Sequence, residues 1–289
     1  MMPQYLFNYH YFQKQYENDI VKNNDEEKTK QLKKLVTPFI LRRNKKEVLT
    51  ELPDKIEQNM ILPFNDEEEK IYVANLAKAN KKLQELYDIE GSDKMQILKL
   101  LTRLRQLCLE PRLVYDNIDQ PSSKLKACME LIKTMQENKQ KVLLFSSFTS
   151  VLDLIAEECQ KAGITYYMLT GRTNKEDRRE LVSRFQKDDT TLFLISLKAG
   201  GTGLNLTSAE VVIHFDPWWN VSAQNQATDR AYRIGQKNNV QVFNLVMKDS
   251  VEEKIIELQK RKKELADMFV ENNSGGLSQM SKEDILSLF

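Results

Sequence analysis

Hydrophobic residues recur along the chain at two different spacings, and the spacing changes near residue 122. Ahead of that point, Tyr72, Leu76, Ala79, Leu83 and Leu86 recur at steps of three and four, which is the period of a helix with one apolar face. Asn65 or Asp66 can cap this helix, and Glu67, Glu68 and Glu69 in its first turn suit the helix dipole. Gly91 and Ser92 interrupt the pattern. Leu98, Leu101, Leu104 and Cys108 resume it as far as Pro111, so two antiparallel helices are expected. Residues 1–64, broken at Pro38, Pro53 and Pro63, read as mostly helical with no core of their own.

Beyond residue 122 the apolar positions close up into runs of strand length: KVLLFSS (141–147), TYYMLTG (165–171), TLFLISL (191–197), EVVIHFD (210–216) and VQVFNLVM (240–247). Helix-like segments at 149–161, 174–187 and 221–234 separate most of them. Short, near-continuous apolar strands alternating with helices predict a parallel sheet covered on both faces, that is, an α/β doubly wound domain. Thr173 with Glu176 is a candidate capping box before 174–187. Ser250 with Glu253 is another, before a long charged helix that runs to about Asn272.

Composition narrows the possibilities. With 289 residues, 41% hydrophobic and 29% charged, the chain has enough apolar material for a core, which excludes wholesale disorder. No run approaches 18 uninterrupted apolar residues, and the N-terminus lacks a secretory pattern, so no membrane association is expected. Cys108, Cys128 and Cys159 are odd in number and widely spaced, which argues for a reducing compartment rather than a disulfide framework. His10 and His214 are the only histidines, so no histidine-based metal site or catalytic triad is expected. Net charge is only +1, yet residues 30–46 hold seven Lys or Arg and no acid, either a solvated helix face or a surface for phosphate.

Candidate chemistry lies in the loops after the strands, where open α/β sheets place function. Gly200, Gly201 and Gly203 fall within Lys198–Asn205, after the third apolar run. They form either a tight strand-to-helix turn or a backbone cradle for an anion. No G-x-x-x-x-G-K-[ST] occurs in the chain, so EVVIHFD is read as a core strand with His214 buried and Asp216 as a turn residue before Pro217. Arg230 and Arg233, one helical turn apart, either fork onto phosphate oxygens or make surface ion pairs such as one to Asp229. Trp218 and Trp219, the only tryptophans, either bury an indole in a turn or set an aromatic wedge against nucleic acid.

Taken together, residues 192–236 (LFLISLKAGGTGLNLTSAEVVIHFDPWWNVSAQNQATDRAYRIGQ) resemble motifs V and VI of the Swi/Snf family of DNA translocases, in helicase superfamily two. VLLFSSFTSVLD (142–153) resembles motif IV, with Ser146-Ser147 where many relatives carry Ser-Gln, and YMLTGRTNKEDRRELVSRF (167–185) resembles the segment that follows it. PFILRRNKKEV (38–48), LPDK (52–55), LTRLRQLCLEP (101–111) and SVEEKIIELQKRKKEL (250–265) are similar to further signatures, the last to the family's brace helix.

The resemblance implies a RecA-like C-terminal lobe at 122–250, carrying a helical protrusion at 65–121 and a brace helix and tail at 251–289. Residues 1–64 would be the helical tail of a first lobe plus the linker between lobes. That first lobe, with its phosphate-binding lysine and acidic box, is not in this sequence. The chain is therefore expected to be the C-terminal half of a two-lobed, DNA-dependent ATPase, cut from it rather than a natural short product, and inactive alone. By motif position Arg230 and Arg233 would be arginine fingers on the transferring phosphate, with Gly203, Asn205 and Gln226 lining the nucleotide cleft. Ser147, Thr170, Gly171, Lys198, Gly200, Gly201, Thr202 and Trp219 would contact DNA. ATP with Mg2+ would be held mainly by the first lobe. The partners would be that lobe and double-stranded DNA, met by a monomer in the cytoplasm, at the nucleoid in a bacterium, or in a nucleus. The alternative is a non-catalytic nucleic-acid or protein-binding module that kept the fold.

Overall fold

Each of the five apolar runs past residue 140 becomes a strand of one sheet. A computed structural model of the chain describes residues 9–17, 19–20, 25–36, 52–87, 94–200 and 203–268. The chain divides into two units, residues 1–50 with 264–272, and residues 51–263 with 273–289.

In the first unit a short helical stretch at Tyr9–Phe12 runs into a π-helical turn at Gln13–Glu17, with the rings of Phe12 and Tyr16 5.9 Å apart. Helix α1 (Glu26–Val36) follows. Asp25 caps it, its Oδ1 accepting the amides of Glu27 and Lys28 at 2.9 and 3.0 Å. Residues 37–46 of the basic run lie outside the described residues.

Among the described residues the second unit holds six strands: β1 (Lys55–Leu62), β2 (Val142–Ser146), β3 (Tyr166–Leu169), β4 (Leu192–Ser196), β5 (Val211–His214) and β6 (Val240–Met247). All pairings are parallel, in the order β1-β6-β5-β2-β4-β3. Strands β2, β4 and β5 are buried along their whole length, as their unbroken apolar runs require. Helices α4 (Ser123–Glu137) and α5 (Thr149–Lys161) cover one face with Ile132, Leu152 and Ile155. On the other face Phe185 of α6 (Lys175–Lys187) packs with Leu143, Phe193 and Val212.

The predicted helical hairpin is α2 (Asp66–Tyr87) and α3 (Lys94–Leu109). Asn65 caps α2, its Oδ1 accepting the amides of Glu67 and Glu68, while Glu68 reaches back to the Asn65 amide at 3.4 Å. Tyr72, Leu101, Leu104 and Cys108 of the hairpin pack with Trp219, Met247 and with Val251, Ile255 and Leu258 of α9 (Val251–Met268). A buried ion pair also anchors the start of α9. Lys124 Nζ lies 2.7 Å from both carboxylate oxygens of Glu252, with the side chains 0% and 1% exposed.

Three expectations change. Residues 55–62, read as part of a helical tail, form edge strand β1, paired with β6 over eight positions from Lys55↔Val240 to Leu62↔Met247. Only Met60 and Leu62 pack against the core, and an edge strand tolerates polar residues such as Glu57, Gln58 and Asn59 on both faces. The cap of α6 is Asn174, whose Oδ1 accepts the amides of Glu176 and Asp177, because the Thr173 hydroxyl is taken by the amide of Thr170. At α9, Ser250 Oγ accepts the amide of Glu252, and Glu253 accepts that of Asp249 rather than Ser250.

Candidate functional site

The carboxyl ends of β3 and β4 carry two loops that are tied together. After β3, Thr170 and Gly171 sit in a turn closed by the Thr173 amide on the Thr170 carbonyl at 3.2 Å and by the Arg172 amide on Thr170 Oγ1 at 3.3 Å. Gly171 is exposed, with open space where a side chain would stand. After β4 a single helical turn, α7 (Leu197–Gly200), carries exposed Lys198. Arg178 of α6 donates to the carbonyl of Ala199 at 2.7 Å and so joins the two loops. Gly201 and Thr202 lie outside the described residues. Gly203 has φ +47°, a conformation that favours glycine, and nothing lies within 4 Å of where a Cβ would be. Asn205 is exposed, and its carbonyl accepts from Gln186 Nε2 at 2.7 Å.

The arginines are held differently from what a continuous helix predicts. Helix α8 (Val221–Thr228), capped by Asn220, carries exposed Gln226 and stops at Thr228, short of Ile234. Successive turns follow, with the amides of Ala231 and Tyr232 both on the Thr228 carbonyl. Gly235 at φ +102° and the buried side chain of Gln236 end the helical path. Gln236 Nε2 donates to the carbonyls of Ala209 and Ala231, and its Oε1 accepts the amides of Lys237 and Asn238. Arg230 and Arg233 therefore project from a braced turn and not from one face of a helix. The Leu206 amide donates to the Arg230 carbonyl at 2.9 Å, which fastens this turn to the loop after β4. Arg230 is half-buried and Arg233 exposed. Burial, then the neighbouring Arg233 charge, pull the Arg230 guanidinium below its ordinary value, and Asp229 opposes them. Two adjacent guanidinium groups at one end of a sheet suit a polyanion such as a phosphate chain.

A third cluster sits where β2 and β5 lie side by side and the chain leaves them in opposite directions, the switch point of the sheet. Arg105 of α3 donates through one nitrogen to Asp216 at 2.8 Å, to Ser147 Oγ at 3.1 Å and to the Pro217 carbonyl at 3.3 Å. Asp216 also accepts from the Ser146 hydroxyl at 2.7 Å, the Ser147 amide at 3.0 Å and the Ser147 hydroxyl. The rings of Phe148, Trp219 and Trp218 surround the guanidinium, with centroids 5.0, 5.2 and 5.7 Å away.

Comparison with known proteins places this arrangement. Residues 123–235 match the helicase conserved C-terminal domain, and residues 1–113 match the SNF2-related domain. A putative ATP-dependent helicase/translocase of Bacillus subtilis is 34% identical over 96% of this chain and 31% of its own length. An uncharacterized ATP-dependent helicase of Mycoplasma pneumoniae is 36% identical over 100% of this chain and 27% of its own. The SWI2/SNF2 ATPase core of Sulfolobus solfataricus in complex with double-stranded DNA is 32% identical at a TM-score of 0.66, covering 100% of this chain and 61% of that one. The chain belongs to the Swi/Snf family. It spans less than a third of the length of these curated relatives.

Within this Swi/Snf lobe the expected site residues separate. Thr170, Gly171, Lys198, Gly200, Gly203 and Asn205 share two joined loops, and Arg230 and Arg233 are fastened to them through Leu206. Ser147 and Trp219 go elsewhere. The only hydroxyl proton of Ser147 is given to Asp216, which leaves no donor for a phosphate. Trp219 is 6% exposed and packs against the hairpin and Arg105, which leaves no face for a base. Both are withdrawn as DNA contacts. Asp216, expected to be a simple turn residue, is the hub of a buried network. Sequence reasoning missed Arg105, although it lies four residues after Leu101 and three before Cys108, on the buried stripe of its own helix. Among the described residues no group of three or more His, Cys, Asp or Glu could hold a metal ion, and no helix is long and apolar enough to cross a membrane. The basic donors here fit a triphosphate, and nothing among them fits magnesium.

His214 is buried as the sequence predicts, with Nε2 2.9 Å from Thr228 Oγ1 and its ring on Phe145. Burial holds its pKa down to about 4 from 6.5, against the opposing pull of Glu57 and Asp216. The unfolded chain therefore takes up the proton first, and stability is lost as pH falls from 6.5 towards 4. The loss should approach about 3 kcal/mol. Urea denaturation of His214→Gln beside the parent at pH 7 and pH 4.5 measures it. A parent-to-variant difference that does not move with pH would contradict the desolvated, neutral imidazole.

Proposed function

We propose that this chain is the C-terminal half of an ATP-dependent motor that translocates on double-stranded DNA. The observation that carries the reading is that one loop links two surfaces. Exposed Gly171 and Lys198 lie on loops joined by Arg178 to Ala199, and the Arg230–Arg233 turn is fastened through Leu206 to the same loop after β4. Lys198 and the backbone amides of these loops bind the phosphates of one DNA strand. Arg230 and Arg233 reach across a cleft to the phosphates of ATP held on a first lobe, with Gly203, Asn205 and Gln226 lining the cleft. Charge builds on the transferring phosphoryl group in the transition state, and two preset guanidinium groups stabilise it there. Magnesium, held by the first lobe, would neutralise the phosphate oxygens. Repeated closure and opening around ATP advances the lobes along the duplex. The relatives named as ATP-dependent helicases and the Sulfolobus complex with DNA support this reading.

DNA binding tests it on the chain itself. Affinity for duplex DNA should be independent of sequence and fall with salt, with a log–log slope of about −0.9 per phosphate contacted. Lys198→Ala should weaken all sequences alike and flatten the slope by about one contact. Fluorescence anisotropy across a salt series reads both. An affinity that ignores salt, or that discriminates among sequences, favours a module with another role.

A further inference from the structure

The switch point between β2 and β5 is where an open α/β sheet usually receives a ligand. In this chain its own hairpin fills that place. The Arg105 side chain is 5% exposed and that of Asp216 0%. The two residues are 111 positions apart in sequence, so the contact joins separate elements and not neighbours. On one side lies the turn after β2, Ser146 to Phe148. On the other is Asp216-Pro217-Trp218-Trp219, which runs directly into Asn220, the cap of α8. Helix α8 in turn delivers Gln226 and the Arg230–Arg233 turn. The same segment is gripped from a second side, since the Trp218 amide donates to Gln224 Oε1 at 3.2 Å and the Trp218 carbonyl accepts from Gln259 of α9.

From this geometry we infer that Arg105 is a positioning residue for the two arginines. Its guanidinium clamps the start of the Asp216–Asn220 segment and so sets the direction from which α8 presents them. The inference rests on the reading of Arg230 and Arg233 above. Stability alone does not require this residue type, because a buried ion pair can be replaced by uncharged groups of similar volume at little cost in folding. The distinctive features are directional. One nitrogen bonds three acceptors on two different loops, and the flat group is wedged among three rings. Lysine keeps the charge but lacks the plane and the fork. The hairpin thereby becomes part of the catalytic machinery without touching ATP.

The experiment uses the complete two-lobed protein, and compares Arg105→Met/Asp216→Asn, Arg105→Lys and Arg233→Ala with the parent. The double variant removes both charges and roughly keeps volume. Arg105→Lys keeps the charge opposite Asp216, so the inference can still fail if the double variant does not fold. Thermal midpoint, DNA affinity, and kcat and KM for DNA-stimulated ATP hydrolysis are read on each. The inference expects the folded Arg105 variants to lose on the order of 10- to 100-fold in kcat, as a small misplacement of a catalytic group does. KM for ATP and DNA affinity should stay within about threefold, because ground-state binding is not what the clamp provides. Parental kcat in the double variant, or in Arg105→Lys if the double variant fails to fold, overturns it and leaves Arg105 a structural residue. If Arg233→Ala itself hydrolyses ATP at the parental rate, the arginine reading falls and this inference falls with it. Loss in Arg233→Ala alone refutes only the role of Arg105.

Discussion

Alanine in place of Arg233 is expected to lower DNA-stimulated ATP hydrolysis by the two-lobed protein about 10³- to 10⁵-fold, the usual consequence of losing an arginine finger. That corresponds to roughly 4–7 kcal/mol of transition-state stabilisation. Arg230→Ala should do the same or somewhat less. The turn that carries both is braced by Gln236 and by the Leu206 amide, neither of which uses an arginine side chain, so the fold should survive. DNA affinity should stay within a fewfold, because the loops proposed to bind DNA are untouched. Lysine should rescue poorly, lacking the planar fork. Were the arginines only surface ion-pair partners, turnover would remain near normal and stability would shift slightly. Steady-state ATPase rates with DNA affinity measured beside them separate the two.

The largest expected effect on stability lies at Lys124. Its ammonium group is sealed against Glu252 and lies over the ring of Phe215, 5.3 Å from the centroid. Glu252 also accepts the Met247 amide at 2.8 Å. Burial pushes the Glu252 carboxyl up and Lys124 pulls it back, so the lysine is what keeps a carboxylate tolerable there. Lys124→Met should cost about 3–5 kcal/mol, because it strands the partner charge. Lys124→Met with Glu252→Gln should recover most of that, since glutamine still accepts the Met247 amide without a charge. Urea denaturation of the single and double variants measures both. A single variant that costs under about 1 kcal/mol would mean that water reaches the pair.

Strands β2, β4 and β5 could be read from the sequence because a strand buried on both faces has little choice but to be apolar throughout, and β3 and β6, though only partly covered, still carry near-continuous apolar runs. The hairpin was legible for the same reason, through the stripe from Tyr72 to Leu83 and from Leu98 to Cys108. β1 was not, because an edge strand owes its place to backbone pairing with β6 and carries Glu57, Gln58 and Asn59 without penalty. The end of α8 was hidden for a related reason. Gln236, a side chain eight residues past Thr228, supplies bonds that a helix would have made with its own backbone. The candidate residues of the loops after β3 and β4 stand out in the sequence because they lie within short stretches. The Arg105–Asp216 clamp joins residues 111 apart, and no local pattern pairs them. Two local oddities did point to it: an arginine on an otherwise apolar stripe, and a carboxylate closing an apolar strand.

The β1–β6 pairing also has a mechanical side, which matters for a chain proposed to work under load. The two strands run parallel with eight matched positions, β1 continuing from the N-terminal segments and β6 leading into α9. Tension that enters at Lys55 and leaves at Met247 pulls the strands past each other along their length. All the rungs between them then share the force at once, whereas a hairpin pulled from its open end gives way one rung at a time. The seam through which this lobe can be dragged is thus in its strongest direction, shear rather than peeling.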